Sequence, residues 1–219
     1  MIAVTSIGFN RIERQQYCIQ TWKNKGLRVL AIQLPGETER LQSSFPNVEF
    51  KEYPNHTPIF SRTTPLIYNL IIQALEENDD ILLINSDISI KDKYEFFNSK
   101  WTTEEKELKI GIRLDGISGR KRRTRQPHGI DAFKITKIMA EKLRDIGFQI
   151  GMPGWDYWLV YHFHLLGYNI VTSTSRLMHE IHDVNWSKHD QYSYDPIVKE
   201  HYNMSHMKLG PIIKRLTNR

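Results

Sequence analysis

The tripeptide Asn85-Ser86-Asp87 closes the apolar run Ile81-Leu82-Leu83-Ile84 and puts a carboxylate where a buried strand would hand the chain back to solvent. An unbroken apolar run with β-branched residues reads as a strand covered on both faces, and in open α/β sheets ligands bind beyond the carboxyl ends of such strands. A carboxylate held there suits a hard divalent cation bridging a diphosphate, because such ions take oxygen ligands and keep positions open for substrate. The plainer reading is a turn, since Asn, Ser and Asp end strands through side-chain bonds to nearby backbone.

Further candidates lie in the second half. In Ile150-Gly151-Met152-Pro153-Gly154-Trp155-Asp156-Tyr157-Trp158-Leu159, the Gly and Pro residues force an irregular turn and leave Asp156 at a helix start. Unpaired amides there stabilise an anion and can orient its carboxylate, as a general base requires; the simpler role is an N-terminal cap. Trp155 and Trp158 read either as core or as the aromatic face of an acceptor site beside that carboxylate. In His179-Glu180-Ile181-His182-Asp183 an imidazole could complete a metal site begun at Asp87, with His182 preferred as ligand and His179 second. Asp131, in His128-Gly129-Ile130-Asp131-Ala132-Phe133, is an acid inside a strand-like run, which is costly unless it bonds a ligand such as the acceptor or neighbouring backbone. His162 and His164 stand two apart on a predicted helix, face different ways and do not share a metal. The run Arg120-Lys121-Arg122-Arg123-Thr124-Arg125 could neutralise nucleic-acid phosphates or a diphosphate, or be a solvated loop.

These residues need a scaffold, and the hydrophobic periodicity predicts one. Ile2 to Ile7 reads as a strand, followed by a helix with Ile12, Ile19 and Trp22 on one face that ends near Gly26. Leu27 to Leu34 and Val48 to Tyr53 read as strands, with a polar helical link after Pro35-Gly36. A helix is expected to begin at Thr64, with Pro65 in its first turn and Ile67, Leu70, Ile71, Ala74 and Leu75 along one stripe. Beyond Asp87, Ile110 to Leu114 and Ile130 to Ile135 read as strands, Thr136 as the cap of a helix reaching about Asp145, Asp156 to Leu166 as a helix stopped by Gly167, and Asn169 to Thr172 as a last strand. Strand and helix alternate, so the expectation is one α/β domain with a mainly parallel central sheet and helices on both faces.

The chain has 219 residues, 40% of them hydrophobic, enough for one substantial core. A single cysteine, Cys18, excludes a disulfide framework, and no apolar segment approaches the length of a membrane span. With no apolar secretory stretch behind a basic start, the expected setting is a reducing cytoplasm. The formal net charge of +5 is moderate and partly concentrated in the Arg120 to Arg125 run.

Taken in order, Asn85-Ser86-Asp87-Ile88, Gly129-x-Asp131-x-Phe133, Ile150-Gly151-x-Pro153-x-Trp155-Asp156-x-Trp158-Leu159 and His179-x-x-His182-Asp183 resemble GT-A-type nucleotide-sugar glycosyltransferases. The resemblance covers roughly residues 1 to 189 and is stronger in the second half. It implies a GT-A-like, Rossmann-like domain over 1–190, with 191–219 a tail that closes as a lid, docks as a helix or frays. It implies nucleotide-sugar contacts at Thr5, Ser6, Asn85, Ser86 and Asp87, with Arg62 offsetting charge on the diphosphate. It also implies Mn2+ or Mg2+ held by Asp87 and His182, and Asp156 as the base. Asn85 departs from the pattern, standing without charge where many relatives carry the first aspartate of Asp-x-Asp.

The function implied is transfer of a sugar, from a UDP-sugar by analogy, to an acceptor hydroxyl with inversion at the anomeric carbon. Acceptor contacts are expected from Asp131, Trp155, Trp158, Arg120, Arg122 and Arg123, and the basic run motivates a hydroxymethylated base in DNA as acceptor. The alternatives are a surface glycan, lipid-linked sugar or protein acceptor, or a catalytically silent nucleotide-sugar-binding module.

Overall fold

Short apolar runs rich in Ile, Val and Leu form β1 (Ile2–Thr5), β2 (Arg28–Gln33) and β4 (Asp80–Ile84), and the polar segment Glu-Phe-Lys-Glu forms the edge strand β3 (Glu49–Glu52). The structure, a computed structural model, describes residues 1–54, 64–91, 106–116, 123–172, 177–180, 194–204 and 206–217. The four strands run parallel in the order β3-β2-β1-β4, joined through α1 (Ile12–Lys23), α2 (Thr38–Gln42) and α3 (Ile67–Leu75). Successive side chains of a strand point to opposite faces, and two separate apolar clusters result. Ile2, Val4, Leu30, Ile32, Ile81 and Leu83 pack with α3 on one face. Ala3, Val29, Ala31, Leu82 and Ile84 pack with Ile19 and Trp22 of α1 on the other. Burial on both faces is why Ile81 to Ile84 carries no polar residue.

The second half adds β5 (Ile88–Ile90), β6 (Glu107–Gly116), β7 (Arg123–Thr136), β8 (Asn169–Thr172) and β9 (Leu177–Glu180). The sheet continues β4-β7-β6-β9-β5, with β8 beside β6. Five of the eight pairings are parallel; β7 runs antiparallel to β4 and β6, and β5 antiparallel to β9. The expected α/β fold with a mostly parallel sheet is the one observed. The antiparallel β7 is its mixed element, and β9 is a strand the sequence pattern did not signal, because a four-residue segment containing His179 and Glu180 makes no apolar run.

Two helix boundaries differ from expectation. The helix expected from Thr64 begins at Ile67, after an extended Leu66. Thr64 donates its hydroxyl to the Ile150 carbonyl, Ile150 N–H donates to the Pro65 carbonyl and Leu66 bridges to Gln149, so tertiary pairing claims the residues a first turn would have used. Thr136 does cap a helix, accepting from Met139 N–H, but α4 spans only Lys137–Ala140.

The next helix, α5 (Trp155–Leu165), ends before Gly167, whose φ of +80° needs no Cβ. Behind it lie α6 (Tyr194–Tyr202) and α7 (His206–Thr217). Ile197, Val198, Leu209, Ile213 and Leu216 join the same apolar cluster as α3 and α5. Trp158 stacks on Phe148 at 5.1 Å and donates its indole N–H to the Tyr202 hydroxyl at 2.7 Å. The described part of the tail is therefore docked. Prediction: Ile213→Ala lowers stability by about 2–4 kcal/mol in urea unfolding, the cost of a buried cavity; a loss below about 0.5 kcal/mol, usual for exposed positions, would mark α7 as a frayed end.

Candidate functional site

Asn85, Ser86 and Asp87 leave β4 at its carboxyl end and turn the chain into β5. The turn is pinned at three points: Asn85 N–H donates to the Asp131 carbonyl, Ile88 N–H to the Asn85 carbonyl, and the Trp22 indole N–H to the Ile88 carbonyl at 2.7 Å. The turn reading of the tripeptide thus holds, and it leaves Asp87 with a fixed backbone.

Strand register then gathers charge around this turn. His179 of β9 pairs with Asp115 of β6 on one side and with Ile88 of β5 on the other. Its Nε2 lies 3.3 Å from Asp87 Oδ2 and its Nδ1 3.0 Å from Asp115 Oδ1. Asp115 Oδ1 lies 3.0 Å from Arg113 Nε, and an Arg113 terminal N–H donates to Asp131 Oδ2 at 3.0 Å. Asp131 Oδ1 accepts from the Asn85 side-chain amide at 2.6 Å. The contacts form a chain that starts at Asp87 and returns to Asn85, and the backbone of the turn closes it into a ring. Its inner members are scarcely exposed: Asp131 4%, Asp115 5%, His179 9%.

A carboxylate at each ring nitrogen of His179 favours the imidazolium, in which both nitrogens donate. Burial works against that charge, but the bond to Asp87 prevails and the pKa of His179 is raised. Here His179, the second choice of ligand, stands between the carboxylates of Asp87 and Asp115. Burial likewise pushes the Asp131 carboxyl up, opposed by Arg113 and by the bond from Asn85. Asn85 is now explicable: an aspartate there would set a second carboxylate 2.6 Å from Asp131 Oδ1, where an amide donor is needed.

Beside the turn, two buried glutamines hold the loop between β1 and α1. Gln15 accepts from Gly8 N–H and the Ser86 hydroxyl and donates to the Gly8 and Asn10 carbonyls. Gln33 accepts from the Ser6 hydroxyl and Ile7 N–H and donates to the Ile7 carbonyl. Ser6 and Ser86 are thereby tied into one rim, whereas Thr5 is fully buried and bonds the Ser6 carbonyl. Phe9, 40% exposed on the same loop, carries the Arg40 guanidinium 4.0 Å from its ring centre.

Asp156 stands in the first turn of α5, half-buried, behind Gly154 at φ +90°. A Cβ at Gly154 would lie 2.7 Å from the ring of Tyr194, so the missing side chain lets α6 close against the helix start. Burial, followed by the nearby Asp131 charge, pushes the Asp156 carboxyl up to about 7; the amides of Tyr157 and of Asp156 itself and the charge of Arg113 pull the other way. A carboxyl that titrates near neutrality is matched to general-base work.

Of the residues expected from sequence, Asn85, Asp87, Asp131 and Asp156 are brought together electrostatically: Asp131 feels the charge of Asp87, and Asp156 that of Asp131. Three expected acceptor contacts need correction. Trp155 and Trp158 are 3% and 2% exposed, packed on Phe133 and Phe148, and offer no ring face to a ligand. Asp131 is spent on Asn85 and Arg113. Arg62, Arg120, Arg122 and His182 lie outside the described residues, as does the side chain of Arg123. Sequence reading missed Arg113, Asp115, Gln15 and Gln33. The available signal was the one that marked Asp131: charged or amide side chains inside apolar runs. Among the described residues no three His, Cys, Asp or Glu side chains are grouped to hold a metal, and no helix is long and apolar enough to cross a membrane. A cleft of about 450 Å³ lined by Met1, Asp79, Asp80 and Lys137 lies at the amino end of β4, a strand's length from Asp87, and is not part of this site.

No protein-family model matches the sequence, and no curated protein matches it. Solved structures do. S. aureus TarS 1-349 in complex with UDP-GlcNAc is similar at TM-score 0.54 and 12% identity, over 99% of this chain and 71% of that one. The mannosyltransferase PcManGT from Pyrobaculum calidifontis, in complex with GDP-Man and Mn2+, is similar at TM-score 0.53 and 10% identity, over 97% and 67%. The inositol-1-phosphate CTP transferase from T. maritima follows at TM-score 0.51 and 11% identity, over 90% and 96%. The chain therefore has the fold of nucleotide-diphospho-sugar transferases, GT-A-like in kind.

Two predictions come from the site's charges. Asn85→Asp costs about 1–3 kcal/mol in urea unfolding at pH 8 and less at pH 4, where a protonated carboxyl can donate; equal losses at both would contradict the account of Asn85. For Asp156, a folded pKa above the unfolded value means that the folded chain binds more protons between about pH 4 and pH 7, so stability falls as pH rises through that window. Asp156→Asn should then melt higher than the parent at pH 8, by more than the ~2–4 °C that about 1 kcal/mol produces, and with it at pH 4; a lower melting point at pH 8 would contradict the raised pKa.

Proposed function

We propose that this chain is a glycosyltransferase that moves a sugar from a nucleoside-diphosphate donor to an acceptor hydroxyl, with Asp156 as base. The observation that carries the reading is Asp156 itself: a half-buried carboxyl at a helix start, raised to about 7, beside a charged ring that reaches Asp87. In the reaction the acceptor oxygen forms a bond to the anomeric carbon while the bond from that carbon to the diphosphate oxygen breaks, and Asp156 takes the hydroxyl proton. A base on the side opposite the leaving group gives inversion. The departing diphosphate carries the negative charge, and Arg62 is the side chain proposed to face it.

The donor set fits a divalent ion modestly. Asp115 and Asp131 are committed within the ring, which leaves Asp87 as the acid for it, with His182 as second ligand. Mg2+-type ions in such sites use one or two carboxylates and fill the rest with phosphate oxygen and water, so this set is sufficient. When bound, Mn2+ or Mg2+ offsets charge on the diphosphate. Asp87, braced by His179, would hold it; the Mn2+ in the PcManGT complex supports this assignment by analogy of fold.

The rim formed by Ser6, Ser86 and the Gln15-braced loop is proposed to receive the nucleotide. The acceptor suggested by the Arg120 to Arg125 run is a hydroxymethylated base in DNA, with glycans, lipid-linked sugars and protein hydroxyls as the competing classes.

The test is incubation with a panel of UDP- and GDP-sugars, with and without Mn2+, reading nucleoside diphosphate release and product mass. The expected result is sugar transfer by the parent, with Asp156→Asn slower by about 10²–10⁴-fold and donor affinity unchanged. Near-normal turnover by Asp156→Asn would remove it as base. Binding without turnover would make the chain a module. Pyrophosphate release from a nucleoside triphosphate and a sugar 1-phosphate would make it a nucleotidyltransferase, the chemistry named for the T. maritima neighbour.

A further inference from the structure

Arg113 is the centre of the charged ring and has no role in the reaction above. It lies where the β6–β7 ladder loses register: Ile112 pairs with Ile130 and Leu114 with Arg125, so the β7 segment 126–129 stands against Arg113 alone. Such irregularities re-aim a side chain. Here they bring Gly129 under the guanidinium stem, so close that a Cβ at Gly129 would lie 2.6 Å from Arg113 Nε and 2.7 Å from its Cγ. The absent side chain is the slot in which the arginine lies.

From that slot Arg113 reaches two buried carboxylates, 3.0 Å to Asp115 and 3.0 Å to Asp131. Its Nε contact with Asp115 lacks the alignment of a hydrogen bond, whereas its terminal nitrogen donates to Asp131 directly. A planar guanidinium can serve both; a single ammonium cannot do so from one position. Without a cation between them, two carboxylates at 4% and 5% exposure would repel, and one would take a proton. The charge of Asp131 in turn acts on Asp156.

We propose that Arg113, seated over Gly129, is a positioning residue that favours the carboxylate form of Asp131 and holds it in place, and through Asp131 sets the charge that Asp156 meets. This rests on the reading of Asp156 as the base. The groups facing Asp156 are Asp131 from β7, Arg113 from β6 and Tyr157 on its own helix, with Tyr194 of α6 against the helix start. Of these groups Arg113 is the cation. Gly129 belongs to the same device, which gives the Gly129-x-Asp131 spacing a physical reason: the slot and the carboxylate it serves lie on one strand, two residues apart.

The test compares Gly129→Ala, which fills the slot without removing charge, with Arg113→Met, which removes the charge, and Arg113→Lys, which keeps it. Carbon-13 carboxyl NMR of the full chain follows the titration of Asp131 in each. The midpoint should rise by about one pH unit or more in Arg113→Met, rise in Gly129→Ala and lie between parent and Met variant in Arg113→Lys. In parallel, kcat should fall at least about tenfold in Gly129→Ala with donor KM within about twofold, and Arg113→Lys should recover part of it. An unchanged Asp131 midpoint in Gly129→Ala and in whichever Arg113 variant folds would overturn the proposal. The titration needs no substrate, so a parent chain inactive on every donor would count against the proposed function and leave this result readable.

Discussion

A carboxylate or imidazolium taken out of water must find partners, because an uncompensated buried charge costs several kcal/mol. That constraint organises the carboxyl end of this sheet. Asp87, His179, Asp115, Arg113, Asp131 and Asn85 answer one another in a sequence of contacts whose two ends lie on one turn, so each inner member is held by two neighbours. The ring ties β6, β7 and β9 to the turn after β4, segments far apart in the chain. Loss of any inner member would strand the two beside it, and for that reason the ring acts as a unit. Asn85 is an amide because its partner is a carboxylate, and Gly129 is a glycine because its neighbour is an arginine stem.

What could be read from the sequence was what breaks a local rule. An apolar run halted by Asn-Ser-Asp, an acid inside the Ile130 to Ile135 strand and an acid behind Gly-Met-Pro-Gly all stand out against their neighbours, and β1, β2 and β4 follow from runs rich in Ile, Val and Leu. What could not be read was pairing. Arg113 and Asp115 lie in a strand that was expected, yet nothing local says that β9 will bring His179 to one side and β7 will bring Asp131 to the other. The start of α3 failed for the same reason, since the residues around Pro65 pair with the segment before α5. Trp155 and Trp158 show the converse: beside a carboxylate they resemble a sugar platform, and only packing against Phe133 and Phe148 identifies them as core.

The scaffold around the ring is built for rigidity. Alternate residues of the central strands feed two apolar clusters, one closed by α3, α5 and the C-terminal helices, the other by α1. On that base the chain carries Asp156, whose ionisation is opposed by burial and by a neighbouring anion. Strain of this kind is tolerated where chemistry needs it, and stability and activity then pull in opposite directions at one residue. The fold by itself is shared by enzymes of different chemistry, so the functional reading rests on that residue more than on the sheet.

The measurement closest to the central claim is the anomeric configuration of the first-formed product. With an α-linked nucleotide sugar as donor, proton NMR of the nascent product should show a β-linkage, because Asp156 is proposed to draw the acceptor in from the side away from the diphosphate. A product that keeps the α-configuration would place the attacking oxygen on the leaving group's side and contradict Asp156 as the base of an inverting transfer.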